Sequence, residues 1–174
     1  LRSVFSTVIL TSALVSLLTV FNVKKDLQAR KVLAKKIISE RDVELELKYL
    51  DLSIELGQSD YLLKIIDGKQ ENLSALLFSN VLEKKFFNGF WEGYELSFNL
   101  FDSLKNDVVI NENTSHEGWE SLIDHKGVSL GINPRVFFVP DAPSSVNYII
   151  KQEIKTKNKK DTAGTLFISL KSKL

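Results

Sequence analysis

Residues 1–23, LRSVFSTVILTSALVSLLTVFNV, carry no charge between Arg2 and Lys24 and contain neither proline nor glycine. At ~1.5 Å of rise per residue, a helix of this length is about 30 Å long, the thickness of a bilayer's hydrocarbon core. The run therefore predicts a membrane-spanning helix. Hydroxyl residues such as Ser12, Ser16 and Thr19 fit, because Ser and Thr can bond back to a carbonyl one turn earlier. A secretory signal would have a shorter apolar stretch of roughly 7–15 residues and a small-residue cleavage site. Here the run ends in Phe21-Asn22-Val23-Lys24-Lys25 with no Ala-x-Ala pattern. A core helix of a soluble protein would rarely be uncharged around its whole circumference for this length. The chain begins at Leu rather than Met, so a piece of a longer protein is expected.

The remaining residues, about 150, suffice for one domain with its own core. Lys+Arg 23 against Asp+Glu 22 leaves a formal charge of +1, which gives no field for nucleic acid or an acidic partner. With no cysteine, disulfides, thiolate chemistry and thiolate metal sites are excluded.

From Lys24 to Leu56 good helix formers dominate and no glycine or proline intervenes; Gly57 supplies a stop. Within this stretch Val43, Leu47, Leu50 and Ile54 follow 4-3-4 spacing along one face, with Leu45, Leu52 and Leu56 on the opposite one. The same residues also alternate every second position, so a strand is the rival reading; length and composition favour the helix. Two apolar faces predict a helix with the domain body on one side and a partner, such as a second copy, on the other. Lys24 to Arg41, with seven basic residues, reads as a solvated stalk.

Tyr61 to Ile66 is a short apolar run closed by the turn signal Asp67-Gly68-Lys69. Leu73, Leu76, Leu77, Val81 and Leu82 then recur at helical spacing after a candidate cap at Asn72, with a stop near Asn88-Gly89. Strict alternation in Tyr94 to Leu100 predicts a half-buried strand, Asp102 to Asp107 a turn, and Val108-Val109-Ile110 the return strand. Thr114-Ser115-His116-Glu117 has capping-box spacing and introduces a short helix through Trp119, Leu122 and Ile123, ended by Gly127. Val136 to Val139, Val146 to Ile154 and Thr165 to Leu170 complete a five-stranded antiparallel sheet. The predicted class is α+β, with helices packed on one side of that sheet. The expected segments are a transmembrane helix at 1–23, a membrane-emerging helix at 24–57 and a domain at 58–174.

This order of elements resembles the extracytoplasmic PAS-like sensor modules of the Cache or PDC type, in which a membrane-emerging helix lies along a five-stranded sheet. The motifs are similar to those of the extracytoplasmic segment of membrane-bound bacterial sensor histidine kinases. They are Glu40-Arg41-Asp42 with Glu46, Gly93-Tyr94 through Phe101-Asp102, Asn147-Tyr148-Ile149-Ile150, and Ala163-Gly164-Thr165 through Leu170-Lys171. The resemblance implies a signal-input module of a two-component histidine kinase. It places the protein in the bacterial inner membrane with residues 24–174 periplasmic, and the catalytic domains beyond residue 174. The lysines after Val23 would, by the positive-inside tendency, place that flank in the cytoplasm; the resemblance places it outside. The alternative is a membrane-anchored envelope scaffold that binds a partner and has no kinase output.

No catalytic residues are expected within the chain, and no cofactor. His116 and His125 both lack the His-Glu-x-x-Thr-Pro setting of a histidine-kinase phosphoacceptor. Glu112, His116, Glu120, Asp124 and His125 can be imagined as a metal site, but His116 and Glu120 at i,i+4 form a common surface pair without a fixed third ligand, so no metal is expected. Modules of the resembling type hold small ligands between the sheet and its connecting segments. Trp119, Arg135, Phe137, Asp141 and Tyr148 are the ligand-binding candidates, with Arg135 suited to a carboxylate, Asp141 to an amine and the aromatics to the walls. The competing reading makes Trp119, Phe137 and Tyr148 core, and Arg135 and Asp141 surface. The expected partners are the lipid bilayer, a second copy through the long N-terminal helix, and a small-molecule ligand; nucleic acid is not expected.

Overall fold

The computed structural model describes residues 2–40, 42–68, 74–110, 112–129, 131, 133–140, 148–158 and 160–173, without the side chains of 2–13, 33 and 35–40. The chain divides into two compact units, Leu1–Arg41 and Asp42–Leu174. The first is one helix, α1 (Arg2–Glu40), in which the apolar run and the basic stretch form a single element. Leu14, Val15, Leu17, Leu18, Val20, Phe21 and Val23 are each more than half exposed. Thr19's hydroxyl donates to the Val15 carbonyl at 2.8 Å, the back-bond such residues make in a helix. Among the described residues no helix is long and apolar enough to cross a membrane. The span expected over residues 1–23 lies, for its first thirteen residues, on side chains outside the described set.

The second unit is α+β. Its helices are α2 (Val43–Gly57), α3 (Asp60–Ile66), α4 (Ala75–Phe86) and α5 (His116–Lys126). Its strands are β1 (Tyr94–Asp102), β2 (Asp107–Val109), β3 (Val128–Ser129), β4 (Val136–Phe138), β5 (Tyr148–Lys155) and β6 (Thr162–Ser172). The strands form one open antiparallel sheet in the order β2-β1-β6-β5-β4-β3. Among the described residues it has six strands, not the five expected. The extra one, β3, is two residues long and pairs Val128 with Phe138 and Ser129 with Phe137, too short to show any alternation in sequence.

The expected continuous helix over 24–57 is instead two helices. Asp42 has extended backbone (φ −97°), and its Oδ1 accepts the Leu45 N–H at 3.0 Å, so a new helix starts there. Glu44 and Glu46 in the first turn sit favourably at the positive end of the helix dipole. Leu45, Tyr49, Ser53 and Leu56 form the buried face of α2, over β5.

The short apolar run at 61–66 is helical, capped by Ser59 and closed by Gly68 at φ 68°, where a side chain would be strained. In α4 the buried stripe is Phe78, Leu82 and Phe86, while Leu76, Leu77 and Val81 point outward. Of the described residues whose helical spacing predicted this helix, only Leu82 is buried. Its candidate cap, Asn72, and Leu73 lie outside the described residues, and Ser74 caps α4 by accepting the Leu77 N–H at 3.3 Å.

Helices cover both faces of the sheet, a correction to the one-sided arrangement. On one face α2 lies over β5, α3 over β6 and α4 over β1, with Phe78 edge-on to Phe98 and Tyr49 bonded to Gln152. On the other face α5 places Trp119 and Ile123 against Phe101, Ile149 and Phe167. Strand register explains the split. Phe98, Ile168, Ile150 and Val136 align across the sheet on the α2 side, and residues one position away, such as Ile149 and Phe167, project to the α5 side. Gly164 allows β6 to run close to its neighbours: a Cβ there would stand 2.3 Å from the Phe101 carbonyl oxygen and 2.9 Å from Ile66 Cδ1.

Candidate functional site

Three stretches far apart in sequence meet at the start of α2. The Tyr94 hydroxyl at the head of β1 donates to Asp42 Oδ2, and the Asp42 backbone N–H donates to the Tyr148 hydroxyl at the head of β5. Together these bonds tie the first turn of α2 to two strands of the sheet. Burial, and then the bond to Asp42, push the Tyr94 phenol well above its ordinary value.

The middle of α2 is fixed by a second polar link. Tyr49 is fully buried, and its hydroxyl donates to Gln152 Oε1 at 2.7 Å. Gln152 Nε2 donates in turn to the Glu153 carbonyl at 2.7 Å. Burial raises the Tyr49 phenol far above its ordinary range, against a weaker opposing pull from Arg135. At the end of the helix a Cβ on Gly57 would stand 2.8 Å from Gln152 Nε2 and 3.3 Å from the Glu153 carbonyl oxygen, so α2 approaches β5 closely here.

The outward side of the same helix is apolar. Val43, Leu47, Leu50 and Ile54 are 44 %, 51 %, 46 % and 66 % exposed, and they are the residues whose 4-3-4 spacing predicted a second apolar face. One helix thus seals the sheet with one side and offers a hydrophobic stripe with the other.

The ligand candidates are not gathered into one place. Trp119 is 2 % exposed and stacks on Phe167 at 5.9 Å on the α5 side, where Phe137 packs beside it. Tyr148 is 1 % exposed on the α2 side, paired with the Phe138 ring. Asp141 lies outside the described residues. Arg135 is half-buried and borders a hollow of about 130 Å³ at the end of α2, together with Ile54, Gln58, Glu153 and Lys155. Sequence reasoning missed Gln58, Glu153 and Lys155, because only the fold brings the end of α2 beside β5.

Around α5 the imagined metal ligands have other partners. Glu112 accepts from the Ser169 hydroxyl at 2.6 Å, and Glu120 is paired with Lys151 at 2.6 Å. His125 Nδ1 lies 2.8 Å from the Ser121 carbonyl. His116 packs edge-on between the rings of Phe101 and Phe167, each 5.3 Å away. Burial holds its imidazole below the ordinary range, with Glu120 opposing that shift. Among the described residues no group of three or more His, Asp or Glu side chains is placed to hold a metal ion. No protein-family model, no curated protein and no solved structure matches this chain.

Proposed function

We propose that this chain is the signal-input segment of a transmembrane two-component sensor histidine kinase. The apolar run anchors it in a bacterial inner membrane, residues 24–174 lie in the periplasm, and the unit from Asp42 onward is a PAS-like module. Two copies pair side by side, and a shift or rotation of α2 carries an extracytoplasmic cue toward kinase domains beyond residue 174.

The observation that carries this reading is the double-faced α2. Its inner face is tied to the sheet by Asp42 and Tyr49, so a change in the sheet must move the helix. Its outer face is an apolar stripe with the alternating four and three spacing of a coiled-coil seam. The uncharged stretch 14–23 of α1, exposed along its length, supports the membrane anchor, since lipid is the solvent in which such a surface is stable.

Alkaline phosphatase fused after Leu174 tests the topology, with activity expected because this enzyme works only outside the cytoplasm. An inactive fusion beside an active cytoplasmic reporter at the same point would contradict it. Reading the gene past Leu174 tests the output: a second apolar span and a kinase core are expected, and a gene lacking both would sink the proposal.

One observation favours a second reading, the envelope scaffold that binds a partner without kinase output. Leu76, Leu77 and Val81 on α4 are 70 %, 54 % and 38 % exposed, a second apolar surface that pairing through α2 does not use.

A further inference from the structure

The hollow at the end of α2 has the makings of a binding site. Its floor is pre-set, because Gln152 is locked between the Tyr49 hydroxyl and the Glu153 carbonyl, with Gly57 close against it. Its volume of about 130 Å³ is on the order of four water-sized groups. A neighbouring hollow of about 150 Å³ shares Gln58 and Lys155 with it and adds Asp60, Leu63, Thr156 and Lys157. On that second wall the Thr156 hydroxyl oxygen is buried without a hydrogen-bond partner among the described residues.

Charge decides what the first hollow would hold. Among the described residues the one carboxylate bordering it, Glu153, is already matched by Lys155 at 2.6 Å. Its carboxyl sits below the ordinary range because of that bond, with Arg135 and Lys151 adding to the effect. Arg135 has no ion pair among the described residues, and its planar fork suits two parallel hydrogen bonds to an oxyanion.

We propose that this hollow binds a compact oxyanion, a carboxylate or phosphate group, through the Arg135 guanidinium with Gln58 and Lys155 beside it. Ile54 belongs both to the wall of the hollow and to the outer stripe of α2, so the bound anion would press on the helix that carries the signal. The site stands on its own geometry; only that last step rests on the function proposed above.

The test is thermal unfolding and calorimetric titration of the whole chain in detergent with sodium phosphate and, separately, sodium acetate, against sodium chloride at equal ionic strength. A hundredfold excess over Kd is expected to raise Tm by roughly 5–10 °C for one of the two probes, and the probe that binds identifies the oxyanion. Arg135→Gln is expected to abolish the shift. Arg135→Lys, which keeps the charge and loses the fork, is expected to weaken binding at least tenfold, and Lys85→Gln on α4 to leave it unchanged. Binding is repeated on Leu50→Glu, in which pairing through α2 is blocked, so failure of the site and failure of pairing appear separately. Shifts no larger than with chloride for both probes, or an undiminished shift in Arg135→Gln, would overturn the proposal.

Discussion

Replacing Tyr49 by Phe removes one hydroxyl from the centre of the α2 contact and leaves the ring volume in place. Its partner, Gln152, is 1 % exposed, so Oε1 would lose its donor with no water to replace it. An acceptor stranded in this way costs ~1–3 kcal/mol, and 2 kcal/mol moves a urea midpoint by about 1 M. The same hydroxyl predicts a pH dependence. Burial raises the folded-state phenol above the unfolded value near 10, so the native chain keeps a proton that the unfolded chain releases in alkali. The stability tied to that proton is complete below pH ~10 and falls by about 1.4 kcal/mol per pH unit above it. Wild type therefore loses in alkali what the variant lost at neutral pH, and the gap of ~2 kcal/mol closes near pH ~11.5. Other groups titrate in both proteins and cancel in the difference. Trp91, 5 % exposed with its ring 6.5 Å from Tyr49, is the fluorescent reporter for urea unfolding. A gap under about 0.5 kcal/mol at pH 7, or one that stays constant from pH 8 to 11, would refute the reasoning.

Three further perturbations have definite outcomes. Gly164→Ala drives a Cβ to within 2.3 Å of the Phe101 carbonyl oxygen and should cost roughly 2–4 kcal/mol by forcing two central strands apart; a melting temperature within a degree of wild type would contradict this. Asp42→Asn removes the charge that faces Tyr94 and weakens the acceptor of its hydroxyl, so the Tyr94 phenol should titrate lower in ultraviolet difference spectra, and an unchanged titration would count against the link. His116 has a lowered folded-state value, caused by burial and modulated by Glu120, Lys105, Glu117 and Lys151. The unfolded state therefore takes up a proton that the native state resists, and stability is complete above pH ~6.5 and declines as pH falls through the window below it. His116→Gln should flatten that decline in denaturant midpoints measured from pH 7 to 5.

Much of the architecture is readable from local pattern because the pattern and the packing share a period. Tyr94 to Leu100 alternates and forms β1, though Phe98 to Phe101 is buried throughout rather than on alternate positions because helices cover both faces, and the 4-3-4 stripe of Val43, Leu47, Leu50 and Ile54 marks the outer face of α2. The break before α2 was readable in principle, since Asp42 followed by two glutamates is a helix-start signal, but the surrounding run of helix formers masks it. What failed depends on which face of the sheet a residue joins. Phe137 and Phe138 are neighbours in sequence yet pack in different layers, and the same one-residue step separates Tyr148 from Ile149. The ligand candidates were therefore divided between two layers. In α4, Leu76 and Leu77 are as apolar as the buried Phe78 and Leu82, and only contact with the sheet decides which stripe turns inward.

Pairing of two copies along the outer stripe of α2 is the centre of the functional account, and a chain without cysteine is suited to testing it. Single cysteines at positions 43, 47, 50 and 54, and at the control positions Lys48, Glu55 and Glu83, would be oxidised in membranes and the dimer fraction followed over time. Parallel pairing sets each stripe position opposite itself, so positions 43, 47, 50 and 54 should cross-link at least tenfold faster than the controls. Equal rates at stripe and control positions, or no cross-linking along the stripe, would contradict the account.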